Sequence, residues 1–190
     1  MGSVAEELFR TLTCPVLTIG PCLSKWFSTQ SQVKNILFPT DLSEESRSVF
    51  PYLVSVASEY RSDLTLMHVL PEETGTNPDA RKLADPLRKE MEAIFSPQIS
   101  PRSNANFVIE FGDPAKTILS YAQRQNVDLI GMGVRKALPI STHFRNTTAY
   151  RVVLGAECPV LTCRPAENLA HNEPQHVFSL SLCAGSHATE

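Results

Sequence analysis

Residues 34–46 read KNILFPTDLSEES, and this stretch decides how the chain begins its fold. Its first half, residues 35–40, is a short apolar run of the kind that forms a buried strand. Ser43 then follows as a helix cap, with Glu44 and Glu45 placed where negative charge favours the first helical turn. A buried strand that passes directly into a capped helix is typical of an α/β protein.

The same alternation of strand and helix continues along the chain. Strands are predicted over residues 35–40, 63–70, 106–112, 127–133 and 158–163, and helices over residues 43–57, 79–95, 113–125 and 146–156. Strands that are separated by helices need crossover connections, so the sheet should be parallel and covered by helices on both faces. The expected class is an open, doubly wound α/β domain that covers residues 33–165.

Two of the predicted helices carry specific expectations. In the helix over residues 79–95, Pro86 should produce a kink or end the first turn, because proline cannot donate a helical hydrogen bond. The apolar stripe of that helix consists of Leu83, Leu87, Met91 and Ile94. In the following helix, Asp113 is the predicted cap and Pro114 the first helical residue.

Composition excludes several classes of partner. The net charge is −3 and the pI about 6.0, with charges of both signs interspersed, so we expect no nucleic-acid partner. No apolar run approaches a membrane span and no signal-peptide pattern begins the chain, so we expect no membrane partner. The five cysteines include no CxxC pair and the histidines lack ligand spacing. We therefore expect a cytoplasmic protein with reduced thiols and no metal cofactor.

An internal repeat connects the two ends of the predicted domain. Residues 2–21 align without a gap onto residues 146–165 at an offset of 144, which places Cys14 on Cys158, and the sequence CPVLT occurs in both. Such a match within a shared helix-then-strand pattern indicates repeated structure. The predicted organisation is a C-terminal remnant of a preceding domain (1–20), a linker (21–32), a complete domain (33–165) and a flexible tail (166–190).

Several stretches, in this order, resemble the universal stress protein family. They are KNILFPTDLSEES, LMHVL, GDPAKTIL, VDLIGMGVR and AECPVLTCR, and the N-terminal CPVLT is similar to the closing motif of another such domain. The resemblance covers residues 33–165 fully and residues 2–20 in part. It implies a five-stranded parallel sheet in the order 3-2-1-4-5, of the Rossmann-like, adenine-nucleotide-hydrolase-like type, with an extra N-terminal helix and strand.

The resemblance also implies a site for ATP or AMP where the strand order reverses, between the first and fourth strands. In nucleotide-binding members, an Asp matching Asp41 holds the nucleoside, backbone near Val69 meets the adenine, and a loop of pattern Gly-x2-Gly-x9-Gly-Ser/Thr wraps the phosphates. Here Gly133 is present, but Lys136 and Asn146 replace the second and third glycines. The candidate nucleotide-binding residues are Pro39, Thr40, Asp41, Val69, Met132, Gly133, Arg135, Lys136, Asn146 and Thr147.

Each of these residues also has a purely structural interpretation. Asp41 can assist the cap of the first helix, Thr147 can cap the last helix, and the loop cations can be solvated surface charges. Two functions therefore stay open at the level of sequence: a stress-response module that binds an adenine nucleotide, and an interaction module that binds none. Catalytic motifs such as a nucleophile elbow or a Walker loop are absent from the sequence, so we do not expect an enzyme.

The interaction hypothesis concerns the edge of the sheet. In the family that the chain resembles, the fifth strand pairs antiparallel with the same strand of a partner domain, which implies a homodimer or a pseudo-dimer. An apolar edge strand needs a cover, because unpaired strand amides promote aggregation. We therefore predict that residues 15–20 pair antiparallel with residues 159–164 of the same chain, with the linker that contains Trp26 and Phe27 as the tether.

Overall fold

The fold is that of a computed structural model, which describes residues 14–19, 32–72, 78–101, 103–134 and 147–165. The strands are β1 (Val16–Thr18), β2 (Asn35–Pro39), β3 (Asp63–Leu70), β4 (Ala105–Phe111), β5 (Leu129–Gly133) and β6 (Val160–Cys163). The helices are α1 (Glu44–Arg47), α2 (Phe50–Tyr60), α3 (Pro78–Phe95), α4 (Pro114–Arg124) and α5 (Thr148–Gly155), and a short 3-10 turn covers Ser96–Gln98.

The described strands form one six-stranded sheet in the order β1-β6-β5-β2-β3-β4. The five strands predicted from the sequence are β2 to β6, and their order, β4-β3-β2-β5-β6, is the expected 3-2-1-4-5. These five are mutually parallel, whereas β1 is antiparallel to β6. The predicted fold class is therefore confirmed, and the strand order reverses between β2 and β5.

Both faces of the sheet are buried, as a parallel sheet between two helical layers requires. On β2, Ile36 and Phe38 point into the core under α2 and α3, whereas Leu37 points into the core under α4 and α5. All three side chains are at most 1% exposed. Because both faces are apolar, β2 reads as a continuous hydrophobic run, which is why the sequence pattern identified it.

Three aromatic rings fix the packing of the first helical layer. The ring centroids of Phe38 and Phe50 lie 5.2 Å apart, and those of Phe50 and Phe95 lie 4.7 Å apart. Such pairs contribute about 0.5–1.5 kcal/mol each beyond the area they bury. They attach α2 and the end of α3 to the central strand β2.

The first predicted helix is divided in two, which corrects the single helix expected over residues 43–57. Helix α1 ends at Arg47 and α2 begins at Phe50, with Pro51 in its first turn. Proline has no amide hydrogen, so Pro51 cannot donate to the carbonyl of Arg47, four residues earlier, as a continuous helix would require. The break therefore follows from a residue already visible in the sequence.

Helix α3 differs from its prediction at two points. Pro86 lies inside the helix, which continues to Phe95, so the expectation that it ends the first turn is wrong. Leu83 is 58% exposed, whereas Met91 is fully buried, so the apolar stripe does not lie on the core along its whole length. The last turns of α3 carry the packing, through Met91 and Phe95.

Strand β1 pairs antiparallel with β6, with Val16 opposite Thr162, Leu17 opposite Leu161 and Thr18 opposite Val160. The antiparallel pairing predicted between residues 15–20 and 159–164 is therefore confirmed for Val16–Thr18 against residues 160–162. The predicted N-terminal helix, the linker with Trp26 and Phe27, and the tail over residues 166–190 lie outside the described residues.

Candidate functional site

A cavity of about 420 Å³ lies at the carboxyl ends of the central strands, where the strand order reverses. Its lining comprises Pro39, Thr40, Asp41, Ser43, Glu45, Ser46, Met67, His68, Val69, Pro114, Ile118, Met132, Gly133, Val134, Thr147, Thr148 and Ala149. Small-molecule sites in open α/β sheets occupy this position, and their volumes are about 300–1,000 Å³. The cavity therefore has the place and size of a ligand site.

The loop between β2 and α1 presents an exposed carboxylate at the cavity. The Oδ1 atom of Asp41 accepts hydrogen bonds from the backbone N–H of Ser43, at 3.0 Å, and from its hydroxyl. The hydroxyl oxygen of Ser43 in turn accepts from the N–H of Ser46 at 3.1 Å and so caps α1. Asp41 thus supports the helix cap, as its structural interpretation predicts, while its side chain remains exposed at the cavity.

Thr40 attaches this loop to the neighbouring strand. Its N–H donates to the carbonyl of Met67 at 2.8 Å, and its buried hydroxyl lies 2.8 Å from that of Ser46. The carbonyl of Thr40 accepts a hydrogen bond from Nδ1 of His68 at 2.8 Å. Thr40 is therefore a positioning residue, and His68, which the sequence reasoning did not select, lines the cavity beside it.

The same loop contains a residue in an uncommon backbone conformation. Leu42 has a φ angle of 64°, in the left-handed region that non-glycine residues rarely adopt. Its carbonyl accepts two hydrogen bonds from the guanidinium of Arg47, from Nε at 3.0 Å and Nη2 at 2.7 Å. Its N–H donates to the hydroxyl of Thr40 at 3.0 Å. Backbone strain that the surroundings hold in place is characteristic of functional loops.

Gly133 is required at the cavity for a packing reason. A Cβ atom at this position would overlap the carbonyl oxygen of Glu45 and the Cα of Ser46. The glycine therefore allows α1 to lie directly against the end of β5. This packing contact by itself requires a glycine at position 133, whether or not the next residues form a phosphate-binding loop.

Two helix N-termini point at the cavity. Thr147 caps α5, because its hydroxyl oxygen accepts from the N–H of Tyr150 at 3.3 Å, and residues 147–149 line the cavity. Asp113 caps α4 by accepting from the N–H of Lys116 at 2.9 Å, and Pro114 lines the cavity behind it. Helix N-termini carry partial positive charge and free amides, which favour anions.

An ion pair joins the two helices. Both guanidinium nitrogens Nη1 and Nη2 of Arg151 on α5 donate to the carboxylate of Asp113, at 2.9 and 2.8 Å. These bonds, with that from Lys116, lower the pKa of Asp113 to about 2. Because the charge of Asp113 is already matched by Arg151, it opposes an anion in the cavity less than a bare carboxylate would.

The structure places seven of the ten candidate residues around this one cavity. They are Pro39, Thr40, Asp41, Val69, Met132, Gly133 and Thr147. Arg135, Lys136 and Asn146 lie outside the described residues. Among the lining residues that the sequence reasoning did not select, His68 directly precedes the candidate Val69, and Pro114 directly follows the predicted helix cap Asp113.

Other site types receive no support from the described residues. Within residues 14–19, 32–72, 78–101, 103–134 and 147–165, no group of three or more His, Cys, Asp or Glu side chains is arranged to hold a metal ion. None of the helices in those ranges combines the length and the apolar character that crossing a membrane requires.

The strand order and the cavity at its reversal define a Rossmann-like, adenine-nucleotide-hydrolase-like α/β domain. The model of the universal stress protein family matches residues 32–164, and the chain belongs to this family. Universal stress protein Sll1654 of Synechocystis is 30% identical over 135 residues, which cover 67% of this chain and 83% of that protein.

Two solved structures share the fold. A universal stress protein from Archaeoglobus fulgidus has a TM-score of 0.63 and 23% identity over 86% of this chain. The match spans only 54% of that longer chain, about half its length. A universal stress protein solved in complex with cAMP has a TM-score of 0.56 and 14% identity, and the match covers 70% of this chain and 98% of that one.

Proposed function

We propose that the chain is a stress-response module that binds an adenine nucleotide, ATP or AMP, in the cavity between the ends of β2 and β5. The observation that carries the proposal is the convergence of Asp41, Val69 and Gly133 on this single cavity. The structural neighbour solved with cAMP supports the ligand class, because it shares this fold and holds an adenine nucleotide.

The lining residues suggest how a nucleotide would lie. The exposed carboxylate of Asp41 is suited to accept hydrogen bonds from ribose hydroxyls, and the backbone at Val69 lies at the base end. The phosphates would face the N-terminus of α5, where Thr147 and the following amides line the cavity. Arg135 and Lys136 follow Val134 directly in the sequence. Their positive charges would attract the phosphates in a loop that lacks two of the family's glycines.

The proposed role is binding without turnover. The described lining offers carboxylates, hydroxyls and one imidazole, and we assign none of them to catalysis. Incubation of the purified protein with ATP should release phosphate no faster than incubation of an Asp41→Ala variant. A release rate that depends on Asp41 would instead indicate an enzyme.

Calorimetric titration with ATP, ADP and AMP tests the binding proposal. Asp41→Asn keeps an oxygen that can accept from Ser43, so the cap of α1 should survive while the charge is lost. Loss of a hydrogen bond to a charged group costs about 1.5–3 kcal/mol, so affinity should fall about 10-fold to 150-fold. Asp85→Asn, at an exposed carboxylate on α3, is the matched control and should leave the affinity unchanged. A flat titration of the natural chain at millimolar nucleotide would exclude the proposal.

A second candidate function is an interaction module that acts through the edge of β6 and binds no nucleotide. The observed pairing of β1 with β6 favours this function, because the edge of β6 already pairs with an antiparallel strand. In this function the chain forms a homodimer or, with β1 as the partner strand, a pseudo-dimer. Sedimentation with and without ATP separates the candidates, since association through the edge should not depend on nucleotide.

A further inference from the structure

Three consecutive peptide groups surround Asp41, and side chains hold each of them. The carbonyl of Thr40 accepts a hydrogen bond from Nδ1 of His68 at 2.8 Å. The N–H of Leu42 donates to the hydroxyl oxygen of Thr40 at 3.0 Å. The carbonyl of Leu42 accepts from Nε and Nη2 of Arg47, at 3.0 and 2.7 Å. The backbone on both sides of the Asp41 side chain is therefore fixed by its neighbours.

Arg47 acts on the carboxylate of Asp41 through a single peptide group. The carbonyl of Leu42 and the N–H of Ser43 belong to the same planar group and point in opposite directions. Because Arg47 holds that carbonyl on one side, the N–H of Ser43 is directed to the other side, where it donates to Oδ1 of Asp41 at 3.0 Å. The side chain of Leu42 packs against the core under α2 and α3, which anchors the same group. Loss of the guanidinium would leave this peptide group freer to rotate away from Asp41.

His68 holds the peptide group that comes directly before the side chain of Asp41. A carbonyl oxygen only accepts hydrogen bonds, so the contact with Thr40 requires the hydrogen of His68 on Nδ1. The N–H of Thr40 donates to the carbonyl of Met67 at 2.8 Å. Because Met67 and His68 are adjacent residues of β3, two hydrogen bonds to that strand fix the point at which the Asp41 loop leaves β2.

We infer that Arg47 and His68 are positioning residues that hold the Asp41 carboxylate ready for the ribose hydroxyls, and that they thereby set the preference of the site for a nucleotide that carries those hydroxyls. This role rests on the proposed nucleotide function. A group that is already oriented loses less conformational freedom when its ligand binds, so preorganisation raises affinity. Arg47 is not among the described residues that line the cavity, so we expect it to act through Asp41.

Titration with ATP and with 2′,3′-dideoxy-ATP, which lacks both ribose hydroxyls, measures this preference. Loss of a hydrogen bond to a charged group lowers affinity about 10-fold to 150-fold, so the natural chain should bind ATP at least about 10-fold more tightly than the dideoxy ligand. Arg47→Leu and His68→Leu should each reduce this ratio about threefold or more, because the carboxylate is no longer held. A residue that only stabilises the fold would weaken both ligands equally and leave the ratio unchanged.

Conservative variants test whether the hydrogen bonds carry the effect. The Nδ2 atom of asparagine is the same number of bonds from Cα as Nδ1 of histidine, so His68→Asn keeps the donor and should restore most of the ratio. Arg47→Lys keeps a cationic donor and should restore part of it. Arg88→Leu removes an exposed arginine that pairs with Asp85 on α3, and as the control it should leave the ratio unchanged.

The outcomes separate the two proposals. A flat titration of the natural chain with both ligands overturns the nucleotide function and the positioning roles together. Equal affinity of the natural chain for both ligands keeps the nucleotide function and overturns only the positioning roles. A folded leucine variant with an unchanged ratio overturns the role of its own residue, and a His68→Asn variant no better than His68→Leu overturns the role of that hydrogen bond. If His68→Leu loses its circular dichroism, His68→Asn and the exposed Arg47→Leu decide, and a ratio for Arg47→Leu equal to that of Arg88→Leu overturns the positioning by Arg47.

Discussion

The sequence CPVLT occurs twice in this chain, and its two copies lie in very different surroundings. In the second copy Cys158, which precedes β6, is 5% exposed and Val160, the first residue of β6, is 1% exposed. In the first copy Cys14 and Leu17 are exposed, and β1 lies at the outer edge of the sheet. Identical residues thus form a strand in both places, but the rest of the domain decides whether that strand belongs to the core.

The largest expected difference between the copies is in thiol reactivity. Burial, with a smaller effect of the nearby carboxylate of Asp128, raises the pKa of Cys158 to about 12. The reactive species is the thiolate, so at pH 8 Cys158 should be alkylated about a thousandfold more slowly than an ordinary thiol with a pKa near 8.5. Alkylation followed by peptide mass mapping should label Cys14 first. Equal labelling of Cys14 and Cys158 in the folded protein would contradict the difference in burial.

The same shift gives a pH dependence. The folded chain holds the Cys158 proton up to a pH of about 12, whereas the unfolded chain releases it near a pH of about 8.5. The contribution of the protonated Cys158 thiol to the free energy of unfolding is therefore fully present below a pH of about 8.5. It is lost as the pH rises toward 12. Cys158→Ala should weaken this alkaline loss of stability.

Core packing gives the next largest difference. Val160→Ala removes two buried methyl groups and leaves a cavity, which should lower the free energy of unfolding by about 2 kcal/mol. Val16→Ala, at the corresponding position of β1, should cost less than about 1 kcal/mol because its side chain is only half-buried. Urea denaturation of both variants measures the two values. Equal costs would mean that β1 is as much a part of the core as β6.

The hydrogen bond between the copies gives a smaller effect. Thr162→Val keeps the side-chain shape but removes the donor to the carbonyl of Val16, which should weaken the pairing of β1 by about 1 kcal/mol. Amide hydrogen exchange at Val16–Thr18 should then be about fivefold faster. Thr18→Val is the matched control at the corresponding position of the first copy. Unchanged exchange in Thr162→Val would show that this bond does not hold β1.

The smallest effect concerns the segment that precedes each strand. Arg151 on α5 pairs with Asp113, and the residue that corresponds to Arg151 in the first copy is Glu7, whose charge has the opposite sign. The pKa of Asp113 is lowered to about 2 in the folded chain, whereas the ordinary pKa of an aspartate is about 3.9. The carboxylate therefore stabilises the fold fully above about pH 3.9, and this stabilisation is lost as the pH falls toward 2. Arg151→Leu removes the guanidinium and should reduce this acid loss of stability.

Arg88→Leu controls for the removal of an exposed arginine, since Arg88 pairs with Asp85 on α3. Both variants are followed by urea denaturation between about pH 4 and pH 2. An acid dependence that is the same in Arg151→Leu and the natural chain would show that Arg151 does not hold the carboxylate in its charged form.

Local signals in the sequence predicted much of the fold and part of the site. The cap at Asp113 and the first helical position at Pro114 are correct, because capping depends on residues a few positions apart. Thr147 caps α5 for the same reason. The position of the cavity follows from parallel strands whose order reverses, so the sequence predicts that Asp41 and Gly133 lie beside it.

Other features of the site depend on contacts between distant residues. The hydrogen bond from His68 to Thr40 joins the ends of two strands, and the overlap that excludes a side chain at Gly133 involves the backbone of α1. The residue type of Leu42 does not reveal its left-handed backbone either, and its side chain packs against a core cluster formed by residues from distant parts of the chain. A linear pattern contains none of these distances.

The sequence by itself determined the alternation of strands and helices, the helix caps and the repeat of CPVLT, because each depends on neighbouring residues or on direct comparison along the chain. The tertiary structure alone decided which copy of that repeat is buried, and that Asp113 is held by Arg151 across two helices. The physical reason is that burial and charge pairing depend on what the fold places beside a residue, and identical residues in β1 and β6 have different neighbours.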